Sequence, residues 1–451
     1  MAAFLDACRF NPTAGGTTDW TYSSVVNGYQ SPASANVTNG RLYKYRAESA
    51  DLSQWELGEG TYNNGTGVLT RTTVLFNSSG TTSKINFSTV PQVAIVALKS
   101  DLISVEEANG WTYLQKARGR SNLDALKKNF LINGAMMVSL QNGSSSVTAS
   151  FAYPVEMFCL GFSNAGTQSA QQVASYTPSG SPNRLRVTCS TADASVGASD
   201  YCGILTAIEG NQLADLKFNA GAKQFILQFG VRAPQGTYGV SFRNGSGARS
   251  YVGEYSISAG EANSDVVKAI ALTGDTTGSW STDNSLSMSI MWTLMCGSTY
   301  QASAGAWTAG NFFGTSSQFN FMGTNGNVFE LFDVGLYEGD TAPVFQVPEP
   351  ALETIKCMRY WQKFTWSIEG YAASANVRVA GTSSLAVPMR TQPSRTRITT
   401  GSSSNIRGSD PASFVLANAV SDSQIVYSAE AAATGNVQAL TFVEGFSARL
   451  I

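Results

Sequence analysis

Short β-type segments recur between residues 130 and 348, and they constrain the fold more than any other feature of the chain. β-branched and aromatic residues favour strands, whereas the intervening clusters of glycine and serine favour turns. Many short strands separated by such turns are typical of a sandwich of two antiparallel sheets. The segments that we predict to be strands are Val147–Tyr153, Arg184–Cys189, Cys202–Ile208, Lys223–Ala233, Thr237–Arg243, Ser250–Ile257, Val266–Leu272, Ser285–Cys296 and Gln318–Met322.

The composition indicates an all-β protein of several domains. The chain has 451 residues, a length that suggests about two to four domains. Hydrophobic residues make up 43% of the chain and charged residues only 13%. The chain can therefore bury sizeable cores, but small polar residues must cover its surface, which disfavours long solvated helices.

Charge and hydropathy argue against two classes of partner. The formal net charge is −2, so we expect neither a basic surface nor a nucleic-acid partner. No apolar run reaches the length of a membrane span, and we expect no membrane insertion. Because Met1–Phe10 lacks the charged and apolar regions of a signal peptide, we expect synthesis in a cytoplasm and arrival at the destination by assembly or lysis.

The reactive side chains predict neither catalysis nor a cofactor. The chain has no histidine, which removes Ser-His-Asp triads and most catalytic zinc sites. Its six cysteines show no C-x-x-C spacing, so buried free thiols are the expected state and disulfides the alternative. Glycoside hydrolysis needs two carboxylates at a defined separation. We expect Glu330 and Asp333 on opposite faces of a strand, with Asp333 near its end, and Asp275 and Asp283 as turn formers. The sequence thus predicts no catalytic residue, no metal site, no cofactor and no enzyme.

The stretch Asn327–Phe364 is predicted to join two β-rich regions. Its first part alternates with a period of two, as a strand does. Three prolines then hold the chain extended, and Leu352, Ile355 and Met358 follow at helical spacing. We expect this helix to bring Cys357, Tyr360 and Trp361 into packing.

This stretch also resembles the closing segment of a jelly-roll module found in bacteriophage tail fibre and receptor-binding proteins. Tyr337 and Trp361 depart from the pattern. The opening Phe130–Ala135 and the stretch from Ile208 to Asn244 resemble other parts of the same module. The matching residues of the closing segment are Asp333, Val334, Leu336, Glu338, Gly339, Ala342, Pro343, Phe345, Glu353, Cys357, Arg359 and Tyr360.

Residues 1–104 resemble the N-terminal attachment modules of phage tail fibres. The resemblance covers residues 25–98, and it implies that this β module docks onto other phage structural proteins of the tail or capsid. A small β-sandwich without that role is the alternative. The sequence also predicts turns at Trp55–Gly60 and Tyr62–Gly67. The matching residues are Tyr45, Arg46, Trp55–Tyr62, Leu69–Val74, Asn77–Gly80 and Lys84–Phe87.

The remaining segments complete a four-part organisation. Residues 105–129 carry the densest charge and a helix-compatible run, so we predict a short helical linker or neck, with a plain surface helix as the alternative. Residues 130–348 form the jelly-roll β-sandwich. Residues 349–451 form a helix and a β-rich tip, which resembles the C-terminal part of such proteins through Leu385–Arg390 and Phe442–Ile451. We expect the apolar C-terminal end to be docked, as it would be in a trimer interface.

Aromatic residues in loops are the candidates for binding. Trp280, Tyr300 and Trp307 lie in or beside loops rich in Gly, Ser and Thr, and sandwich loops are common recognition sites. Sugars stack their C–H faces on such rings. The alternative is that these rings cap the core or lie in a subunit interface.

The resemblance implies a structural virion protein. The expected role is a homotrimeric tail fibre or tail-associated receptor-binding protein, which docks by its N-terminus and recognises a host-surface polysaccharide or another virion protein. Its location would be the virion, at the tail or at the capsid surface. The alternatives are a head fibre or decoration protein and a glycan depolymerase, although the stacked repeats of a β-helix are missing from the sequence.

Overall fold

The computed structural model describes residues 4–101, 128–407 and 415–451. Within these residues the predicted all-β class is confirmed, and the pairings between named strands are antiparallel. The chain divides into two compact units, residues 1–125 and 126–451, and each is described by itself. The predicted helical linker, residues 105–129, lies outside the described residues except for Lys128 and Asn129.

The N-terminal unit is a small β-barrel. The strand order is β3-β7-β1-β2-β5-β4, and β4 also pairs with β3, so the sheet closes on itself. β6 is added to β4, and a 3-10 turn follows at Lys99–Asp101. The strands are β1 (Cys8–Pro12), β2 (Trp20–Val25), β3 (Leu42–Glu48), β4 (Trp55–Asn63), β5 (Val68–Leu69), β6 (Thr73–Asn77) and β7 (Gln92–Ile95).

A buried ion pair lies in the core of this barrel. Glu56 and Arg71 are joined through both carboxylate oxygens, and their side chains are fully buried. The Tyr45 hydroxyl and the Ile85 N–H donate to the same carboxylate at 2.8 and 2.7 Å. The Arg71 guanidinium lies 4.7 Å from the ring centre of Trp20. The charges are thus hydrogen-bonded on all sides, as a buried pair must be.

The prediction of turns at Trp55–Gly60 is wrong, because these residues form the first part of β4. Alternate residues of β4 are buried, and two of them are Gly58 and Gly60. A Cβ on Gly58 would collide with the Tyr45 hydroxyl, and one on Gly60 would collide with the Thr70 carbonyl. These glycines allow neighbouring parts of the chain to approach closely. A sequence pattern does not distinguish a glycine in that role from a glycine in a turn.

The second unit begins with the jelly roll, whose two sheets face each other. One sheet has the order β10-β11-β19-β13-β16 and the other β18-β15-β14-β17-β12-β9-β8. A helical turn, α1 (Gly210–Leu213), follows β12. The strands are β8 (Ala152–Val155), β9 (Phe158–Ser163), β10 (Thr167–Ala174), β11 (Asn183–Thr191), β12 (Tyr201–Glu209), β13 (Gln224–Arg232), β14 (Gly236–Asn244), β15 (Arg249–Ile257), β16 (Val266–Thr273), β17 (Leu286–Cys296), β18 (Trp307–Ala309) and β19 (Val328–Glu338).

Alternate residues of these strands fill the core between the sheets. Phe225, Leu227 and Phe229 of β13 lie in the same buried cluster as Val240 of β14 and Trp292 of β17. Two predicted strands are wrong or displaced. Residues 318–322 contain the start of a 3-10 turn, and residues 147–153 become a strand only at their last two positions. Residues 318–322 belong to a loop in which Phe321 and Met322 are buried without strand pairing. In residues 147–151, Val147 forms only an isolated β-bridge with Ala170, and Phe151 is exposed.

The C-terminal region is a second, smaller sandwich. A helix, α2 (Pro350–Met358), precedes it, and Glu349 caps the helix by accepting from the N–H groups of Ala351 and Leu352. One sheet has the order β20-β26-β22, with β23 also on β26, and the other β21-β25-β24. The strands are β20 (Trp361–Ala372), β21 (Arg378–Ser384), β22 (Ser394–Thr399), β23 (Ser402–Ser404), β24 (Val415–Ala419), β25 (Gln424–Glu430) and β26 (Gly435–Ser447).

The packing predicted for the end of α2 is confirmed, since Cys357, Tyr360 and Trp361 are buried. The predicted docking of the C-terminal end is also found, but it occurs within one chain. The Arg449 guanidinium lies 3.9 Å from the ring centre of Tyr153 and pairs with Glu156. No trimer interface is needed to account for this docking.

The six cysteines are free and buried. Burial raises the pKa of the Cys8 and Cys296 thiols to about 11 and that of Cys159 to about 12. Such thiols remain protonated at neutral pH and behave as small apolar groups. Among the described helices, none combines the length and the apolar character that crossing a membrane requires.

Candidate binding site

The structure brings two of the three predicted binding residues together. The rings of Trp280 and Trp307 meet edge to face, with centroids 5.4 Å apart. Tyr300 lies elsewhere, stacked on Phe313 at 4.4 Å and in edge contact with Tyr201. A single site of all three aromatics is therefore not formed, and a role of Tyr300 in binding stays a separate prediction.

Strand pairing and one hydrogen bond fix the Trp307 ring. Trp307 begins the edge strand β18, where it is opposite Tyr251 of β15. The two rings are 5.7 Å apart. The indole N–H of Trp307 donates to the carbonyl of Thr273 at 2.8 Å. Because Thr273 ends β16, the edge strand of the other sheet, this bond ties together the edges of both sheets.

Trp280 supports Trp307 from a loop. Its ring stacks on Phe218 with centroids 4.0 Å apart, and its indole N–H donates to the Thr277 carbonyl. Asp275, at the start of this loop, accepts two hydrogen bonds of 2.8 Å from Arg249. Burial alone would raise the pKa of Asp275, but the bonds from Arg249 and Thr277 outweigh it and lower the pKa. Asp275 is thus an ionised anchor, which is more than the predicted turn former.

A cleft of about 340 Å³ opens beside Trp307 at this sandwich edge. We call it the aromatic cleft, and its lining residues are Gln224, Tyr251, Ala271, Leu272, Thr273, Gly305, Ala306 and Trp307. The pairing of β13 with β16 places Gln224 directly opposite Thr273. The polar side chains of Gln224, Tyr251 and Thr273 make no hydrogen bond to any other described residue.

The chemistry of the aromatic cleft suits a neutral polyol. An indole and a phenol form its wall, and an amide and two hydroxyls are free to donate or accept. Burial raises the pKa of Tyr251, so its hydroxyl keeps its proton at neutral pH. No charged side chain belongs to the lining, and the nearby Arg249 and Asp275 neutralise each other. Sequence reasoning missed Gln224, Tyr251 and Thr273, because only strand register brings them to one edge.

The carboxylates of Glu330 and Asp333, which we expected on opposite faces of a regular strand, are arranged differently. Asp333 lies inside β19, not at its end, with a left-handed φ of 49°. Its carboxylate accepts from the hydroxyls of Thr177 and Ser181, and it is buried. Glu330 pairs with Arg184 and Arg186. In the described parts of the chain, no group of three or more Cys, Asp or Glu side chains is close enough to hold a metal ion.

Comparison with known proteins gives no sequence relative. No known protein family matches the chain, and no curated protein has a significantly similar sequence. The solved structures that resemble it include an arabinose-bound α-L-arabinofuranosidase, with 12% identity and a TM-score of 0.27 over 48% of this chain and 27% of that chain. Another is the enzymatically active domain of bacteriophage CBA120 tailspike protein 4, with 9% identity and a TM-score of 0.24 over 47% of this chain and 21% of that chain.

A third similar structure is a family 11 carbohydrate-binding module of a Clostridium thermocellum cellulase, with 12% identity and a TM-score of 0.23 over 45% of this chain and 99% of that chain. The chain spans only about a quarter of the length of the arabinofuranosidase and of the tailspike domain. Both of these are enzymes, and they contradict the sequence-based prediction that the chain is not an enzyme. That prediction rested on the missing histidine and on carboxylate spacing, and it is withdrawn.

Proposed function

We propose that this protein recognises a glycan through the aromatic cleft, as a structural component of a bacteriophage virion. The observation that carries the proposal is the Trp307 ring, which is held by its bond to Thr273 beside polar side chains that have no hydrogen-bond partner among the described residues. A preformed apolar wall with a few converging polar groups is the usual form of a small-ligand site.

A sugar ring would lay its C–H face against Trp307. Its hydroxyls would then reach the Gln224 amide, the Thr273 hydroxyl and the Tyr251 hydroxyl. Little side-chain ordering is required on binding, because strand pairing fixes the Trp307 backbone and the bond to Thr273 fixes its indole ring. A cleft of this size takes about one or two sugar residues, so each site is weak, and several copies on one particle would act together by avidity.

The resemblance of residues 1–104 to attachment modules supports the proposed position in the virion. We propose a tail fibre or tail-associated receptor-binding protein, docked through this N-terminal barrel and assembled as a homotrimer. Light scattering should then give three times the mass of the chain. A head fibre or decoration protein would use the same modules, and antibody labelling of particles distinguishes head from tail.

The test of glycan recognition uses the full chain and host-surface polysaccharide. Replacing Trp307 by alanine should weaken binding by about tenfold or more, because the stacking wall is lost. Tyr371→Ala is the matched control, because it removes an exposed aromatic side chain of β20 outside the cleft, and it should bind as the wild type does. Equal binding by the Trp307 variant would reject the cleft. New reducing ends in the same incubation would assign a cleaving activity instead of recognition alone.

A further inference from the structure

A second cleft lies on the outer face of the sheet β10-β11-β19-β13-β16. Its volume is about 430 Å³, within the range of about 300–1,000 Å³ that is usual for ligand sites. We call it the arginine cleft, and its lining includes Arg186, Arg232, Asn263 and Glu330. Arg232 ends β13, whereas Gln224 of the aromatic cleft begins it. At about 3.3 Å per residue the two positions are roughly 26 Å apart, so the clefts are separate.

Strand register builds a row of three charges across this face. Glu330 of β19 is opposite Arg186 of β11 on one side and opposite Arg232 of β13 on the other. Their neighbours Leu185, Leu331 and Val231 belong to the core. Since side chains alternate between the faces of a strand, the three charged residues point away from the core.

The Glu330 carboxylate is already paired on one side, with two arginines of β11. Arg186 donates to one oxygen of Glu330 at 2.8 Å, and Arg184 donates to the other at 3.2 Å. Arg184 also makes two bonds, of 2.6 and 2.7 Å, to Asp265. The Glu330 side chain is only 4% exposed, so it has little capacity left for Arg232.

Arg232 is therefore an available cation. It is exposed, and its guanidinium makes no ion pair or hydrogen bond with the rest of the described chain. The cleft and its surroundings contain three guanidinium groups, those of Arg184, Arg186 and Arg232, but only two carboxylates, those of Glu330 and Asp265, which leaves one positive charge. The side-chain amide of Asn263 is also exposed and has no partner among the described residues.

We propose that the arginine cleft binds the carboxylate of an acidic sugar residue. The planar fork of Arg232 takes the carboxylate through two parallel N–H bonds, and the Asn263 amide takes a neighbouring hydroxyl. Glu330 does not repel the ligand, because Arg184 and Arg186 neutralise it. The inference rests on the proposed function only in taking a saccharide as the carrier of the anion, since it uses a different cleft.

The test measures binding of oligogalacturonate to the full chain by calorimetry, with a neutral cello-oligosaccharide of equal length as the reference. The wild type should prefer the acidic oligosaccharide, and this preference should fall as salt rises. Arg232→Gln should weaken oligogalacturonate binding by roughly 10- to 100-fold. Arg232→Lys keeps the positive charge but loses the planar fork of N–H donors, so its affinity for oligogalacturonate should lie between those of the wild type and Arg232→Gln. Lys363→Gln removes one exposed positive charge from β20 and is the matched control.

A second variant and a second probe complete the test. Asn263→Asp adds a negative charge to the cleft, tolerates the left-handed φ of 54° at this position, and should also weaken oligogalacturonate binding. Dextran sulfate tests the identity of the anion. If dextran sulfate binds through Arg232 and oligogalacturonate does not, the assignment of a carboxylate ligand is wrong. Unchanged oligogalacturonate affinity in Arg232→Gln, or a wild type that prefers the neutral probe, overturns the proposal.

The outcomes for the two clefts can be told apart. Trp307→Ala should lose binding of the neutral glycan and keep that of oligogalacturonate, whereas Arg232→Gln should do the reverse. If only the first cleft fails, the acidic-sugar site stands by itself. If only the second fails, the proposed function is untouched.

Discussion

Asp275 shows how one carboxylate holds the candidate site in place. It anchors the loop of Trp280 through two hydrogen bonds from Arg249, and Trp280 in turn supports the Trp307 ring. Arg249 remains partly exposed, at 20% of its side-chain surface. Breaking its pair with Asp275 should therefore reduce stability by less than breaking a fully buried pair does. Asp275→Asn should lower the free energy of unfolding of residues 126–451 by about 2 kcal/mol at pH 7.

The pH dependence of this cost has a definite sign. The folded-state pKa of Asp275 is lowered from its ordinary value of 3.8, so the pair stabilises the fold above that pH and loses its effect as pH falls through the lowered pKa. The difference between wild type and Asp275→Asn, measured by urea unfolding with tryptophan fluorescence, should therefore shrink below pH 4. Asp422→Asn is the control, since Asp422 is an exposed carboxylate of the same unit whose side chain makes no hydrogen bond or ion pair with the described residues. A difference that grows in acid would contradict the role of the pair.

Glu56 in the barrel represents the opposite case, a pair with no access to water. Its carboxylate takes hydrogen bonds from Arg71, Tyr45 and Ile85. Glu56→Gln should cost about 3–5 kcal/mol of barrel stability, because it leaves the Arg71 charge buried and uncompensated. Thermal melting of the full chain checks this, with Glu59→Gln as the control on the more exposed pair with Lys44. A loss below about 1 kcal/mol would mean that Arg71 finds another partner.

The C-terminal segment after β26 is an element held by side chains. Arg449 covers the Tyr153 ring and pairs with the buried Glu156. Arg449→Gln and Glu156→Gln should each destabilise the unit by about 3 kcal/mol. The double variant should cost clearly less than the sum, since both changes remove the same contact. Additive losses in a double-mutant cycle of urea unfolding would show that the two residues act independently.

The same element gives a second dependence on pH. Burial raises the pKa of Glu156 above its ordinary value of 4.5, although Arg449 opposes the shift. Without Arg449 the pKa should rise further, and a carboxyl with a raised folded-state pKa loses stability as pH rises from 4.5 through that pKa. Arg449→Gln should therefore be less destabilised at pH 4 than at pH 8, compared with the wild type. Equal deficits at both values would exclude this mechanism.

Much of the element pattern could be predicted, and the failures have physical causes. Strands such as β13 and β17 were predicted because apolar and β-branched residues dominate them. β4 was missed because Gly58 and Gly60 serve close strand contacts and not turns. Of the candidate site, sequence reasoning identified Trp280 and Trp307 as loop aromatics, but their partners Tyr251 and Thr273 lie in strands. Pairing over long sequence separations decides which strand residues meet, and local patterns do not contain it.

The arginine cleft was not predicted for the same reason. A regular strand pattern relates Glu330 only to Asp333, its close neighbour in sequence. The left-handed φ at Asp333 breaks that regularity. The partners of Glu330 come from β11, about 145 residues earlier in the chain.

At the scale of the whole molecule, the division into residues 1–125 and 126–451 implies two units that fold independently. Each has its own buried cluster, around Trp20 and Tyr45 in the first and around Trp292 in the second. A fragment of residues 126–451 should therefore melt at the temperature of the corresponding transition in the full chain, and so should a fragment of residues 1–125. Calorimetry of the three proteins checks this, because a domain with its own core unfolds cooperatively without its neighbour.

The same fragments test the proposed polarity of the virion protein. Residues 1–125 should bind particles that lack the protein and leave host adsorption unchanged, because the attachment-like barrel contains neither cleft. Residues 126–451 should bind host polysaccharide and fail to join particles. Trp307→Ala in the second fragment is the control that separates specific glycan recognition from general adhesion. The inverse result, with the barrel blocking adsorption and the larger unit joining particles, would reverse the orientation. Attachment of both fragments to capsids without any effect on adsorption would favour the head-fibre or decoration role, because each unit would then contact only the particle.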